Sequence, residues 1–179
     1  TITPANLAVT AYAAPPSAGA GELIALSWTV QNQGTGVAAA SYLGCCAEGY
    51  YNKWADAVYL SIDAVLSADD LEAGRVWRSN GYTLSAGSSY TQTATFAVPV
   101  AAPGAYYLLF VPDAIGQRVV ETNEANTYAV PLTVGRADLV ATSLGAPATA
   151  AARELLALSW TVTNQGSGGA SGRYQACCT

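Results

Sequence analysis

The chain has 179 residues, 51% of them hydrophobic but only 11% charged, with a net charge of −5 and a pI near 4.4. Its seven Lys and Arg are scattered rather than gathered into a basic footprint, so nucleic acid is excluded as a partner, and no stretch has the length and apolarity of a membrane-inserting span or the pattern of a signal peptide. Histidine is absent, which removes the commonest general base and the commonest metal ligand and argues against an enzyme.

Strand patterns dominate, with Thr, Val and Tyr alternating between Gly, Pro and Asn breakers. The first strand is expected near Asn6–Tyr12, followed by the breaker run Ala14–Gly21. The next, Glu22–Asn32, is the clearest. Ile24, Leu26, Trp28 and Val30 share one face and Ala25, Ser27, Thr29 and Gln31 the other, the period of two that buries one face of a strand. A long loop, Thr35–Lys53, separates it from a strand over Ala55–Ile62 with Val58, Leu60 and Ile62 inward. Ser67–Glu72 has the chemistry of one helical turn, with Ser67 as N-cap ahead of Asp69 and Asp70. Arg75–Leu84 reads as an edge strand broken at Asn80-Gly81, a hairpin-type dipeptide. Ser89–Val98 alternates Thr91, Thr93 and Thr95 outward with Ala94, Phe96 and Val98 inward. Gly104–Val111 is apolar enough for a central strand, and Arg118–Glu121 and Thr127–Val134 close the unit.

The chain then repeats itself. LSWTVQNQG at 26–34 returns as LSWTVTNQG at 158–166, a spacing of 158 − 26 = 132 residues, and the register holds without a gap from Leu7/Leu139 to Cys46/Cys178. Over 7–47 against 139–179 about half of the positions are identical, the signature of a tandem array. Residues 1–135 are expected to form one complete domain. Residues 136–179 hold only the first part of a second, too short for a core of its own, which docks on a neighbour or continues in a longer chain. Seven or eight short strands with turn-punctuated spacing make each complete unit an all-β, immunoglobulin-like antiparallel β-sandwich.

In order, the segments NLAVTAYAAPP, LSWTVQNQGTG, WADAVYLSIDAVLSADD, LSAGSSYTQTATFAVP, GAYYLLFVPD and VVETNEANTYAVPLTV resemble the CARDB domain, the cell adhesion related domain found in bacteria. The resemblance covers nearly all of 5–134 and restarts at 138. It implies a secreted or surface bacterial protein, extracellular and often large and repetitive. It departs from the family pattern at Ser41–Lys53 (SYLGCCAEGYYNK), which looks inserted. Tyr42, Tyr50, Tyr51 and Lys53 of this segment are the expected interaction loop.

All four cysteines stand in adjacent pairs, Cys45-Cys46 and Cys177-Cys178, at equivalent points of the repeat. In head-to-tail sandwiches those points lie tens of ångströms apart at roughly 3.3 Å per strand residue. A disulfide needs Cα atoms within roughly 7 Å, so one chain is not expected to join them. Vicinal Cys-Cys rings and bonds between chains remain as the oxidised readings; reduced thiols are the third.

The carboxylates suggest calcium, which takes about six to eight oxygen ligands. Asp56, Asp63, Asp69 and Asp70 crowd one stretch, and Glu121 and Glu124 another alongside Asn123 and Asn126. The competing reading is turn chemistry, in which Asp and Asn bond their own backbone. No cofactor is required on either reading. A paired-carboxylate glycosidase would fit the same inventory, but nothing in the sequence indicates a cleft. Lys53, the sole lysine, lies in the inserted loop rather than in a core strand, where an isopeptide bond would need it. Trp28 and Trp160 read as core, and Trp77 as the one candidate for an exposed aromatic platform.

The sequence thus points to a structural or adhesive repeat unit that assembles with copies of itself into a fibre at the cell surface, in contact with a host or cell-surface ligand. The alternative is a non-catalytic carbohydrate- or protein-binding accessory module of a larger secreted protein.

Overall fold

The computed structural model describes residues 3–40, 53–115 and 118–170. Every regular element among them is a strand. The first repeat holds β1 (Leu7–Ala13), β2 (Ser17–Gly19), β3 (Leu23–Asn32), β4 (Ala38–Ala39), β5 (Ala55–Ser61), β6 (Leu71–Trp77), β7 (Thr83–Leu84), β8 (Ser89–Ala97), β9 (Gly104–Val111) and β10 (Tyr128–Gly135). A further hairpin follows, β11 (Leu139–Gly145) and β12 (Ser159–Asn164).

Two sheets cover one core. The first has the order β1-β3-β8, all antiparallel, and the second β2-β10-β9-β5-β6, antiparallel except for the parallel pair β2·β10. The pattern read from β3 is realised: Ile24, Leu26, Trp28 and Val30 are buried, and they meet Leu60, Leu108, Phe110, Val130 and Leu132 of the other sheet in one apolar cluster. Trp28 packs on Phe110 with ring centroids 5.6 Å apart. Burying side chains of this size is the main favourable term in folding, at roughly 25 cal/mol per Å² of apolar surface. Gly74 of β6 lies flat against the Phe96 ring, where a Cβ would collide, so the edge strand of one sheet closes directly onto the other.

Three expectations need correction. Ser67–Glu72 forms a tight turn rather than a helical turn. Ser67 N–H donates to Asp70 Oδ2 (2.7 Å), and Leu71 already begins β6, so the cap chemistry serves a strand. Ile62 is 78% exposed rather than inward, because β5 ends at Ser61 and the chain bends away. The edge strand starts at Leu71 rather than Arg75; its break at Asn80-Gly81 falls where expected, dividing β6 from β7 at Gly81, whose φ of +71° suits glycine.

β11 and β12 reproduce β1 and β3. Leu7↔Asn32 becomes Leu139↔Asn164, and the register slips at Thr10 in one hairpin and Thr142 in the other, so even the β-bulge recurs at the 132-residue offset. The second hairpin has no opposing sheet among the described residues. Trp160, Val162 and Leu158, equivalents of core residues in β3, are 65%, 50% and 52% exposed.

Candidate functional site

The buried polar groups of the first repeat form three clusters, and each answers a motif that the sequence singled out. The deepest surrounds Asp56. It sits on β5 with its carboxylate in the core, 1% exposed. Trp28 Nε1 donates to its Oδ2 at 3.0 Å, and the Tyr90 hydroxyl reaches both carboxylate oxygens at 2.8 and 3.0 Å. The Arg78 guanidinium caps this knot, 4.1 Å from the Tyr90 ring centroid and 4.6 Å from that of Tyr82, and its Nη1 donates to Gln92 Oε1 at 2.8 Å. Burial raises the Asp56 pKa above the ordinary carboxylate range, against the opposing pull of the Trp28 and Tyr90 hydrogen bonds and the Arg78 charge. Burial also pushes the Tyr90 hydroxyl up, reinforced by the neighbouring Asp56 charge. The knot ties both sheets together and has no opening for a substrate.

The second cluster explains why N-Q-G recurs. Asn32 is fully buried and uses every hydrogen-bonding position of its amide. Nδ2 donates to Gly36 O (2.7 Å) and Leu84 O (3.0 Å), while Oδ1 accepts from Asn6 N (3.1 Å) and Gly34 N (3.0 Å). Asn164 repeats three of the four, to Gly168 O (2.8 Å) and from Asp138 N and Gly166 N (3.0 Å each). The glycines let the returning chain lie on the strand start: a Cβ on Gly34 would meet the Ala5–Asn6 backbone.

The third is an acidic corner. Asp113, at φ +47°, is buried and accepts the Val119 N–H at 2.6 Å. Glu121 accepts from the Leu7 N–H and from Asn126 Nδ2, and the Glu121 N–H donates to Glu124 at 3.3 Å. Burial pushes the pKa of Asp113 up to about 7, helped by the Glu121 and Glu124 charges. Glu121 is pushed up to about 7 by burial, with Glu124 adding to it. Both carboxyls hold a proton in the folded state that the unfolded chain releases near pH 4. Their stabilising contribution is therefore complete at acid pH and is lost as pH rises through about 7. Stability should fall by about 3–4 kcal/mol between pH 5 and pH 8, after discounting the solvent access of Glu121. D113N, which suits the same φ and keeps the acceptor for Val119, should flatten that slope in a series of thermal melts. An equally steep slope in D113N would refute the assignment.

The six carboxylates expected as calcium ligands are thus divided. Asp56 is bonded inside the core. Asp63, Asp69 and Asp70 line an open crevice of about 550 Å³ with Leu60, Leu71 and Tyr106, where Asp63 Oδ1 accepts the Val65 N–H at 2.8 Å in turn fashion. Glu121 and Glu124 belong to the acidic corner. Among the described residues no group of three or more carboxylates or thiols could hold a metal ion. Trp77 is half-buried, with the Arg118 guanidinium 6.0 Å from its ring centroid, so it presents no bare platform. Lys53 is half-buried next to Trp54. Tyr42, Cys45, Cys46, Tyr50, Tyr51, Cys177 and Cys178 lie outside the described residues. Sequence reasoning missed Tyr90, Arg78 and Asp113. Tyr90 alone left a signal, since it has the same parity as the inward Ala94, Phe96 and Val98 of its strand.

No helix among the described residues is long and apolar enough to cross a membrane. A comparison with curated proteins returns no match. Among solved structures the chain is similar to the CARDB domain of a Pyrococcus furiosus protein crystallised with di-metal ions, at 18% identity and a TM-score of 0.48 over 75% of this chain and 91% of that one. The solution structure of that domain gives 17%, 0.48, 74% and 97%. A Listeria innocua β-glucosidase in complex with glucose is similar at 14% identity and a TM-score of 0.41, over 74% of this chain but 16% of the enzyme. The CARDB family model, of a non-catalytic, adhesion-related domain, matches residues 4–130, the span that carries all three polar clusters and both sheets up to the start of β10, and the chain belongs to the CARDB family.

Proposed function

We propose that this chain is a structural and adhesive unit of a secreted bacterial surface protein, built from immunoglobulin-like β-sandwiches in tandem and assembling with copies of itself into a fibre. The observation that carries this reading is the second hairpin. It repeats the register, bulge and asparagine turn of the first at a fixed offset, as consecutive units of a repeating array do. The Asp56 knot of the first repeat ties its two sheets together, which suits a unit held under tension. The chain works on this reading without a catalytic group or an obligatory cofactor, outside the cell.

Chain-to-chain bonding through Cys45, Cys46, Cys177 and Cys178, with Tyr42, Tyr50, Tyr51 and Lys53 packed around the first pair, would make such a fibre covalent. Electrophoresis without reductant should then give a ladder that collapses to one band when thiol is added, and electron microscopy should show filaments that shorten on reduction. A single monomer band without reductant sinks interchain bonding. A chain that stays monomeric by light scattering yet binds a polysaccharide or a cell-surface protein replaces the fibre with an accessory binding module.

A further inference from the structure

The two repeats meet at a joint made of backbone and one carboxylate. The turn that ends β12, Gln165–Gly169, sits on the start of β3 in the first repeat. Glu22 Oε2 accepts the Gly19 N–H at 2.6 Å and the Gly169 N–H of the second repeat at 3.2 Å. Gly19 and Gly169 are in backbone contact: a Cβ on Gly19 would lie 2.6 Å from Gly169 O and 2.9 Å from Gly169 N. A Cβ on Gly169 would collide with the Glu22 carboxylate. Real Cβ atoms do not approach backbone this closely, so the joint demands glycine at 19, while a side chain at 169 would push the Glu22 carboxylate out of its hydrogen bond to the turn.

The 132-residue register allows each half of the joint to be compared with its counterpart. The counterpart of the socket is intact in shape: Glu154 Oε2 accepts the Ala151 N–H at 2.7 Å, and Arg153 takes the positive φ (+68°) that Gly21 takes (+80°). Where the first socket has Gly19, however, the second has Ala151. Its Cβ occupies the place where the backbone of a following turn would rest. The counterpart of the inserted turn is likewise intact, with Asn32 and Asn164 bonding alike. Where the second turn has Gly169, the first has Val37, which is 58% exposed. Its side chain would displace Glu22 from any socket of this kind.

We infer that the joint is a directed lock: the Gly19–Glu22 socket of the first repeat takes the glycine turn 165–169 of the second, and neither half can be reused elsewhere in the chain. The first repeat has an open socket and a blocked turn; the second has an open turn and a blocked socket. The pairing is set by four residues, Gly19 and Gly169 in the joint and Ala151 and Val37 at the equivalent positions, and the joint does not propagate from copy to copy. The inference rests on the tandem part of the proposed function and is independent of fibre formation, which must use other surfaces.

Backbone amide hydrogen exchange on the whole chain tests it. G19A, G169V and E22A should each lower the protection factor of the residue-169 amide by about tenfold or more, while amides of the first core such as Val30 and Leu132 keep their protection. E22Q, which retains an acceptor, should restore most of the Gly169 protection. Because Gly19 has an ordinary φ, alanine there strains nothing else; should G19A nonetheless loosen the first core, G169V and E22A carry the test alone. Unchanged protection of the residue-169 amide in E22A and G169V overturns the lock. So does loss of self-association in G19A, because copies would then be using the socket between them. A chain that is monomeric throughout, with the exchange pattern as stated, defeats the fibre and leaves the lock standing.

Discussion

Replacing Asp56 with alanine should cost about 3–5 kcal/mol of folding stability, read as a lowered midpoint in urea unfolding. The change removes the shared acceptor of Trp28 and Tyr90 from a site that water does not reach. Two donors are then left unpaired in the core, at about 1–3 kcal/mol each, and Arg78 loses its counter-charge. Asp56→Asn, which keeps the volume, should cost less, since the amide oxygen still serves Tyr90 but its NH2 must face the Trp28 N–H. A loss below about 1 kcal/mol for D56A would mean that the knot is solvated in solution. Adding Y90F to D56A should then cost little, because in the double variant one of the stranded donors is gone.

The repeat supplies a second experiment with its own control. Trp28→Ala should cost about 3–5 kcal/mol, as expected for deletion of a large buried ring, here one that is 1% exposed and packed at a tilt against Phe110. Trp160→Ala changes the same residue in the same LSWTV context, yet it should move stability by no more than about 0.5 kcal/mol, because Trp160 is 65% exposed. Equal losses would show that Trp160 is covered in solution, and self-association that weakens in W160A would assign that cover to another copy of the chain.

How far these sites could be read in advance depends on what each residue's neighbours are. Alternation found β3, β8 and β10, whose buried faces repeat about every second residue, and a continuous apolar run found β9, which is buried on both faces over Leu108–Val111. Alternation failed at Ile62, where the strand had already ended, and nothing in an isolated isoleucine reports that. Asp56 was grouped with Asp63, Asp69 and Asp70 on proximity in sequence. Its parity matches Val58 and Leu60, so strand alternation alone would have placed it inside. The acidic corner was legible as a cluster, but its burial was not. That depends on the bridge of Ala5 to Glu121, which pairs residues from opposite ends of the repeat. The joint was least legible. Gly19 and Gly169 look like ordinary turn glycines until the two backbones are seen in contact, and only then do Ala151 and Val37 become informative.

The uncovered hairpin also has a consequence in time. In the first repeat β3 pairs locally with β1 but must wait for β8, whose first residue, Ser89, is made long after Asn32. At a synthesis rate of about 5–20 residues per second that wait is roughly 3–10 s. Throughout it, the nascent first repeat would resemble β11–β12: a finished hairpin with its tryptophan exposed and one strand edge bare. Each repeat of such a protein would therefore pass through a sticky stage on the ribosome. For the second hairpin the first repeat, already folded, offers its glycine socket as the first place to rest.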